Sequence, residues 1–116
     1  MYPINGRDLA LARPTPRQQR TLSKLMREAI QASGIDAAGS TNPLLIFNTV
    51  WEGSLELGTH TKILAALLTV ESSTPQAWSE ESATELEAFL DGCEFDDVAG
   101  LYHDAITGFF FSGRNG

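Results

Sequence analysis

Two histidines, one cysteine and fifteen carboxylates are the groups from which this 116-residue chain would have to build a reactive centre. Nucleophilic catalysis needs a serine or cysteine held beside a base. His60 and His103 are the only histidines, and neither stands in a catalytic motif. Cys93 lies between Gly92 and Glu94. A neighbouring carboxylate opposes thiolate formation, so this cysteine reads as structural or incidental. Asp91, Glu94, Asp96 and Asp97, with His103 and Asp104 beyond them, offer hard oxygen ligands. Their order lacks the acid-and-glycine pattern of a calcium loop, and no second histidine stands one turn from His103 to hold zinc. Asp96 and Asp97 read better as caps at a helix start. Walker A and G-x-G-x-x-G phosphate cradles are missing. Glu80/Glu81 and Glu85/Glu87 are carboxylate pairs of the kind common on exposed helices, with no acid–base signature. The expectation is a chain that is not an enzyme, with no catalytic residue, no metal and no cofactor.

Binding offers more. Arg17, Arg20, Lys24 and Arg27 recur at steps of three and four, which sets them on one face of a helix. As a solvated face the stripe needs no partner; as a binding face it suits an acidic surface, on another protein or on another copy of the chain. The run Phe109-Phe110-Phe111 is the second candidate. Each helical step turns about 100°, so three consecutive rings cannot all face one core. Either one ring points to solvent or a partner, or the segment wraps back and buries all three.

Charge supports a binding role while limiting the partner. The net charge is −7, yet residues 1–30 hold six basic residues against two acids, and residues 31–116 hold two against thirteen. Such a split closes a domain on itself, steers a partner or builds assemblies of copies. The overall acidity argues against nucleic acid, whose phosphates need a large basic surface. The N-terminal residues lack the apolar core of a signal peptide. The longest apolar run, residues 63–68, falls far short of the roughly 20 residues needed to span a bilayer, so no membrane role is expected. A lone cysteine suits a reducing cytoplasm.

The elements that position these groups follow from periodicity and caps. Hydrophobic residues at 42% and charged residues at 20% are a globular balance, and the length fits one domain spanning 1–116. Asn5-Gly6 between Tyr2, Ile4 and Leu9, Leu11 predicts a β-hairpin over 1–13, with Pro3 restricting its first arm to an edge or a stub. Thr15-Pro16 opens an amphipathic helix with Leu22, Leu25, Met26, Ala29 and Ile30 on its apolar face, closed at Ser33-Gly34. Asn42-Pro43 opens a second helix over about 43–52, ended near Gly53, with a buried strand as the alternative because Ile46, Thr49 and Val50 are β-branched. A third helix, capped by Thr59 or Thr61, runs through Val70 and is apolar on nearly every face, which places it in the middle of a core. Thr74-Pro75 opens a turn carrying Trp78. Ser79-Glu80-Glu81 begins a fourth helix stopped at Gly92, and Asp96-Asp97 begins a fifth that frays near Gly108 before Phe110-Phe111. The fold expected is mostly α: a compact bundle of about five helices over 16–111, with the hairpin before it and a flexible tail over 112–116.

That layout resembles the tail assembly chaperones of long-tailed bacteriophages. The resemblance rests on Ile4-Asn5-Gly6-Arg7 before a leucine-containing strand, on Arg13-Pro14-Thr15-Pro16 leading into a helix, on the apolar middle helix, and on an acidic helix pair. That pair holds Leu86-x-x-Phe89-Leu90 and Leu101-Tyr102-x-x-x-Ile106-x-x-Phe109-Phe110. It covers most of the chain as an arrangement of short motifs. It implies a protein of the host cytoplasm that binds the phage tape measure protein while the tail tube polymerises around it. A frameshifted longer product and association of copies belong to the same expectation. Two other classes remain open at this level: a structural head–tail connector or completion protein of the virion, and a small nucleic-acid-binding regulator using the basic stripe.

Overall fold

In the computed structural model residues 2–34, 42–70 and 77–112 are described, without the side chains at 43, 44 and 109–112. The chain begins with β1 (Tyr2–Ile4) and β2 (Arg7–Leu11), antiparallel with Tyr2 opposite Leu9. Asn5 at φ 47° and Gly6 at φ 81° make the turn. Both central residues are left-handed, which matches the natural twist of a two-residue hairpin and explains the Asn-Gly pair. Ile4 and the fully buried Leu9 both enter the core, with Tyr2 and Leu11 packed against it, and these fasten the hairpin to the helices.

α1 (Pro16–Ser33) starts where expected. The Thr15 hydroxyl accepts from the Gln18 N–H at 3.1 Å, Pro16 fills the first turn, and Gly34 at φ 71° returns its N–H to the Gln31 carbonyl. α2 spans Pro43–Leu57, α3 His60–Leu67, α4 Glu80–Asp91 and α5 Phe95–Ser112. The mostly helical architecture with an N-terminal hairpin is therefore what the chain adopts, with five helices among the described residues. α3 lies at the centre, touching α1, α2, α4 and α5, and its residues 63–67 are all buried.

Several boundaries differ from those expected. The segment opening at Asn42-Pro43 is a helix, not a strand, and it runs past Gly53 to Leu57. The β-branched Thr49 fits because its hydroxyl donates to the Leu45 carbonyl at 2.6 Å, and Ser54 does the same to Trp51 at 2.8 Å; hydroxyls buried this way satisfy themselves on their own helix. Gly53 does not stop the helix. It meets α1 so closely that a Cβ there would overlap the Ala29 carbonyl. α3 ends at Leu67, not Val70, and β3 (Leu68–Val70) pairs with β2 to complete a three-stranded sheet in the order β1-β2-β3. Without β3 the hairpin would leave the inner edge of β2 unpaired beside the core, and buried backbone groups require partners. Thr59 occupies the cap of α3 but its side chain makes no capping bond, while the Thr61 hydroxyl donates to Asp91 at 2.7 Å. Gly108 does not interrupt α5, whose backbone continues through Ser112. The Thr74-Pro75 turn and residues 113–116 of the tail lie outside the described residues.

The buried C-terminus of α3 shows how the pieces interlock. The last carbonyls of a helix lack partners inside it. Here Leu64 accepts from the Leu68 N–H, Ala65 from the Trp78 indole at 3.1 Å, Ala66 from the Gln18 amide at 2.8 Å, and Leu67 from the Ala12 N–H at 2.8 Å. Three distant segments therefore converge on one helix end. Ala77 bridges Arg13 in parallel, and the Trp78 N–H donates to the Arg13 carbonyl, which brings the indole into reach.

Candidate functional site

α1 presents the basic stripe outward. Its apolar side packs Leu22 and Ala29 into the core, while Arg17, Arg20, Lys24 and Arg27 are all exposed on the opposite side. The four form two lines, since residues seven apart fall on nearly the same side of a helix with 3.6 residues per turn. Arg17 and Lys24 form the line nearer α4, flanking Thr21, and Arg17 meets Glu80 of α4 at 3.7 Å. Arg20 and Arg27 form the outer line. Neither makes an ion pair with any described residue. Arg7, the basic residue of the hairpin, is placed differently: its guanidinium stands 4.1 Å from the centre of the Phe89 ring.

Between α1 and α4 runs an open groove of about 300 Å³. Its floor is apolar, formed by Leu25, Ala65, Ala66, Trp78 and Ala83. Lys62 of α3 and Glu87 of α4 form an ion pair at 3.2 Å on its lining. Periodicity alone did not single out this groove. Its signal in the sequence is weak: small residues at 65, 66 and 83, and the seven-residue interval between Glu80 and Glu87.

The aromatic run is not joined to the basic stripe by anything described. Phe109, Phe110 and Phe111 lie on the last turns of α5, and their side chains are outside the described residues. The aromatic concentration that is visible lies between α2 and α5. Trp51 stands 4.6 Å from Tyr102, 5.8 Å from His60 in an edge-on contact and 6.0 Å from Phe95, measured between ring centres. Phe95 is 56% exposed. A cleft of about 130 Å³ lined by Phe47, Asn48, Trp51, Ala99, Tyr102, His103 and Ile106 opens beside this cluster.

The groups capable of chemistry are dispersed or used structurally. Cys93 donates its thiol to the Phe89 carbonyl at 3.4 Å. His103 is exposed, with Asp104 3.4 Å from its Nδ1, and His60 packs on Trp51. Asp96 and Asp97 sit in the first turn of α5, where negative charge suits the helix dipole, two and three residues inside the capping position instead of at it. No group of three or more His, Cys, Asp or Glu among the described residues is arranged to hold a metal ion, and no helix there is long and apolar enough to cross a membrane.

Comparison with protein-family models, characterised proteins and solved structures finds no match.

Among the described residues, Tyr102 has its ionisation clearly displaced by the fold. Its hydroxyl donates to the Phe47 carbonyl at 3.1 Å, joining α5 to α2. Burial holds its pKa well above the ordinary tyrosine value near 10. Above that value the unfolded chain releases the phenolic proton while the folded chain retains it, so folding stability falls as pH rises. The stabilisation is complete below pH ~10 and is lost upward from there. Melting temperatures measured from about pH 9 to 11 should fall more steeply for the natural chain than for Tyr102→Phe. Parallel slopes would show that Tyr102 ionises as easily folded as unfolded.

Proposed function

We propose that this chain is a non-catalytic binding protein that acts as a tail assembly chaperone, holding a phage tape measure protein during tail assembly. The observation that carries the reading is the outer line of α1. Arg20 and Arg27 are exposed on a rigid, well-capped helix and make no ion pair with any described residue, while the opposite face of that helix is committed to the core. A capped helix presenting guanidinium groups that pair with no described residue suits carboxylates on a partner, because the planar fork binds them in pairs. The reading therefore requires an acidic stretch on the tape measure. The layout of a hairpin, a proline-opened basic helix and an apolar central helix adds to it through the family resemblance.

The test is co-expression with a phage tape measure protein that carries an acidic stretch. The partner should remain soluble and co-purify with the chain, and Arg20→Glu with Arg27→Glu should abolish capture without lowering the melting temperature appreciably. Equal precipitation of the partner with and without the chain would overturn the proposal.

A further inference from the structure

The groove between α1 and α4 carries its charges in an order that fits a second copy of the same chain. Two ion pairs mark it, and both have the same sense. Arg17 of α1 faces Glu80 of α4 at 3.7 Å, and Lys62 of α3 faces Glu87 of α4 at 3.2 Å. In each, the base stands on the α1/α3 side and the acid on α4. Lys24, seven residues beyond Arg17, falls on the same side of α1, and the exposed acid Glu28 follows it one turn later. Between the walls lies the apolar floor of Leu25, Ala65, Ala66, Ala83 and Trp78.

Turning a second copy over about an axis along the groove sets its basic wall on the first copy's acidic wall, and its acidic wall on the first copy's basic wall. Each marking pair then meets its own equivalent, base over acid. That is the self-complementarity of a two-fold contact, in which the same patch serves on both subunits. A uniformly acidic or basic partner would meet like charge on one of the two walls; a second copy meets opposite charge on both. We infer that the chain forms a two-fold dimer by stacking this groove on the same groove of a second copy.

In the lone chain the Arg17–Glu80 pair is open to water, with side chains 64% and 69% exposed, and such pairs contribute little. Covering the groove removes water from both pairs and gives each charge two opposite neighbours. The dimer is consequently sensitive to salt. Because it uses the Arg17/Lys24 line, it leaves Arg20 and Arg27 facing outward, and it stands independently of the tape measure reading.

The decisive measurement is the mass in solution, by light scattering on a sizing column or by sedimentation. At low ionic strength the chain should weigh two subunits, and at about 1 M salt, where the screening length is about 3 Å, one. The double variant Arg17→Glu with Lys24→Glu should be monomeric, as should Glu80→Lys with Glu87→Lys, each weakening the dimer more than about tenfold through like charges brought together. Mixed together, the two variants should recover a one-to-one dimer, because both walls are complementary again. Arg20→Glu with Arg27→Glu should remain dimeric. Melting curves establish that each variant folds, and Arg17→Gln with Lys24→Gln serves if a reversal does not. A monomer at every ionic strength, a ladder of larger species, a dimer indifferent to the reversals, or a mixture that stays monomeric would each overturn the inference.

Discussion

Gly53→Val is expected to lower the melting temperature by roughly 10–20 °C, the equivalent of about 3 kcal/mol or more in a domain of this size. The cause is the approach of α2 to α1. A Cβ built on Gly53 overlaps the Ala29 carbonyl and comes within 2.9 Å of the Ala29 Cα. These are backbone atoms of a fully buried residue, so no rotamer change relieves the contact and the two helices must separate. Alanine should already destabilise, despite gaining about 1 kcal/mol over glycine in a helix interior. Valine adds two methyl groups to the same collision. Gly100 supplies the internal control: it lies in α5, is exposed, and a Cβ added there would meet nothing within 4 Å. Gly100→Ala should therefore stabilise by up to about 1 kcal/mol. Thermal melts of the three variants decide the matter, and a Gly53→Val chain melting with the natural one would mean that α1 and α2 do not cross this closely.

Trp78→Ala should cost about 3–5 kcal/mol, the range for removing a large buried aromatic side chain. Two losses combine. The ring is 7% exposed, so truncation opens a void beneath the α1–α4 groove. The indole also supplies the hydrogen bond to the Ala65 carbonyl at 3.1 Å, and that carbonyl belongs to a helix end enclosed by the core. Trp78→Phe separates the two losses: most of the volume stays, but the carbonyl loses its donor, at about 1–3 kcal/mol. Chemical denaturation of both variants gives the ordering natural, Phe, Ala. A Phe variant as stable as the natural chain would show that water or another group can serve Ala65.

The elements were largely legible because their signals are local. Asn5-Gly6 is a turn by its own backbone preferences, and Thr15-Pro16 with Ser33-Gly34 delimits α1 by satisfying the orphan groups at its ends. The exposed basic stripe follows from spacing alone, since leucines three and four apart commit the other face to the core. Errors arose where a residue's role depends on a neighbour distant in sequence. Gly53 resembles a stop signal when viewed along the chain, but it is a point of contact with Ala29. Leu68–Val70 continues an apolar helical pattern, yet the open edge of β2 recruits it as a strand. Gln18 lies on the buried face of α1 with Leu22 and Ala29, where its side chain is 2% exposed and donates to Ala66, 48 residues away, a partner that no local signal indicates.

The same division holds for function. The sequence by itself determined that opposite charges occupy opposite parts of the chain, and that four of its bases share one helix face, because a 3.6-residue period allows no other arrangement. Only the tertiary structure decided what those charges face. Placing α1 and α4 on either side of a groove over α3 splits the stripe into an exposed outer line and an inner line nearer that groove. Such a relation depends on how helices meet across the core, and local periodicity carries no information about that meeting.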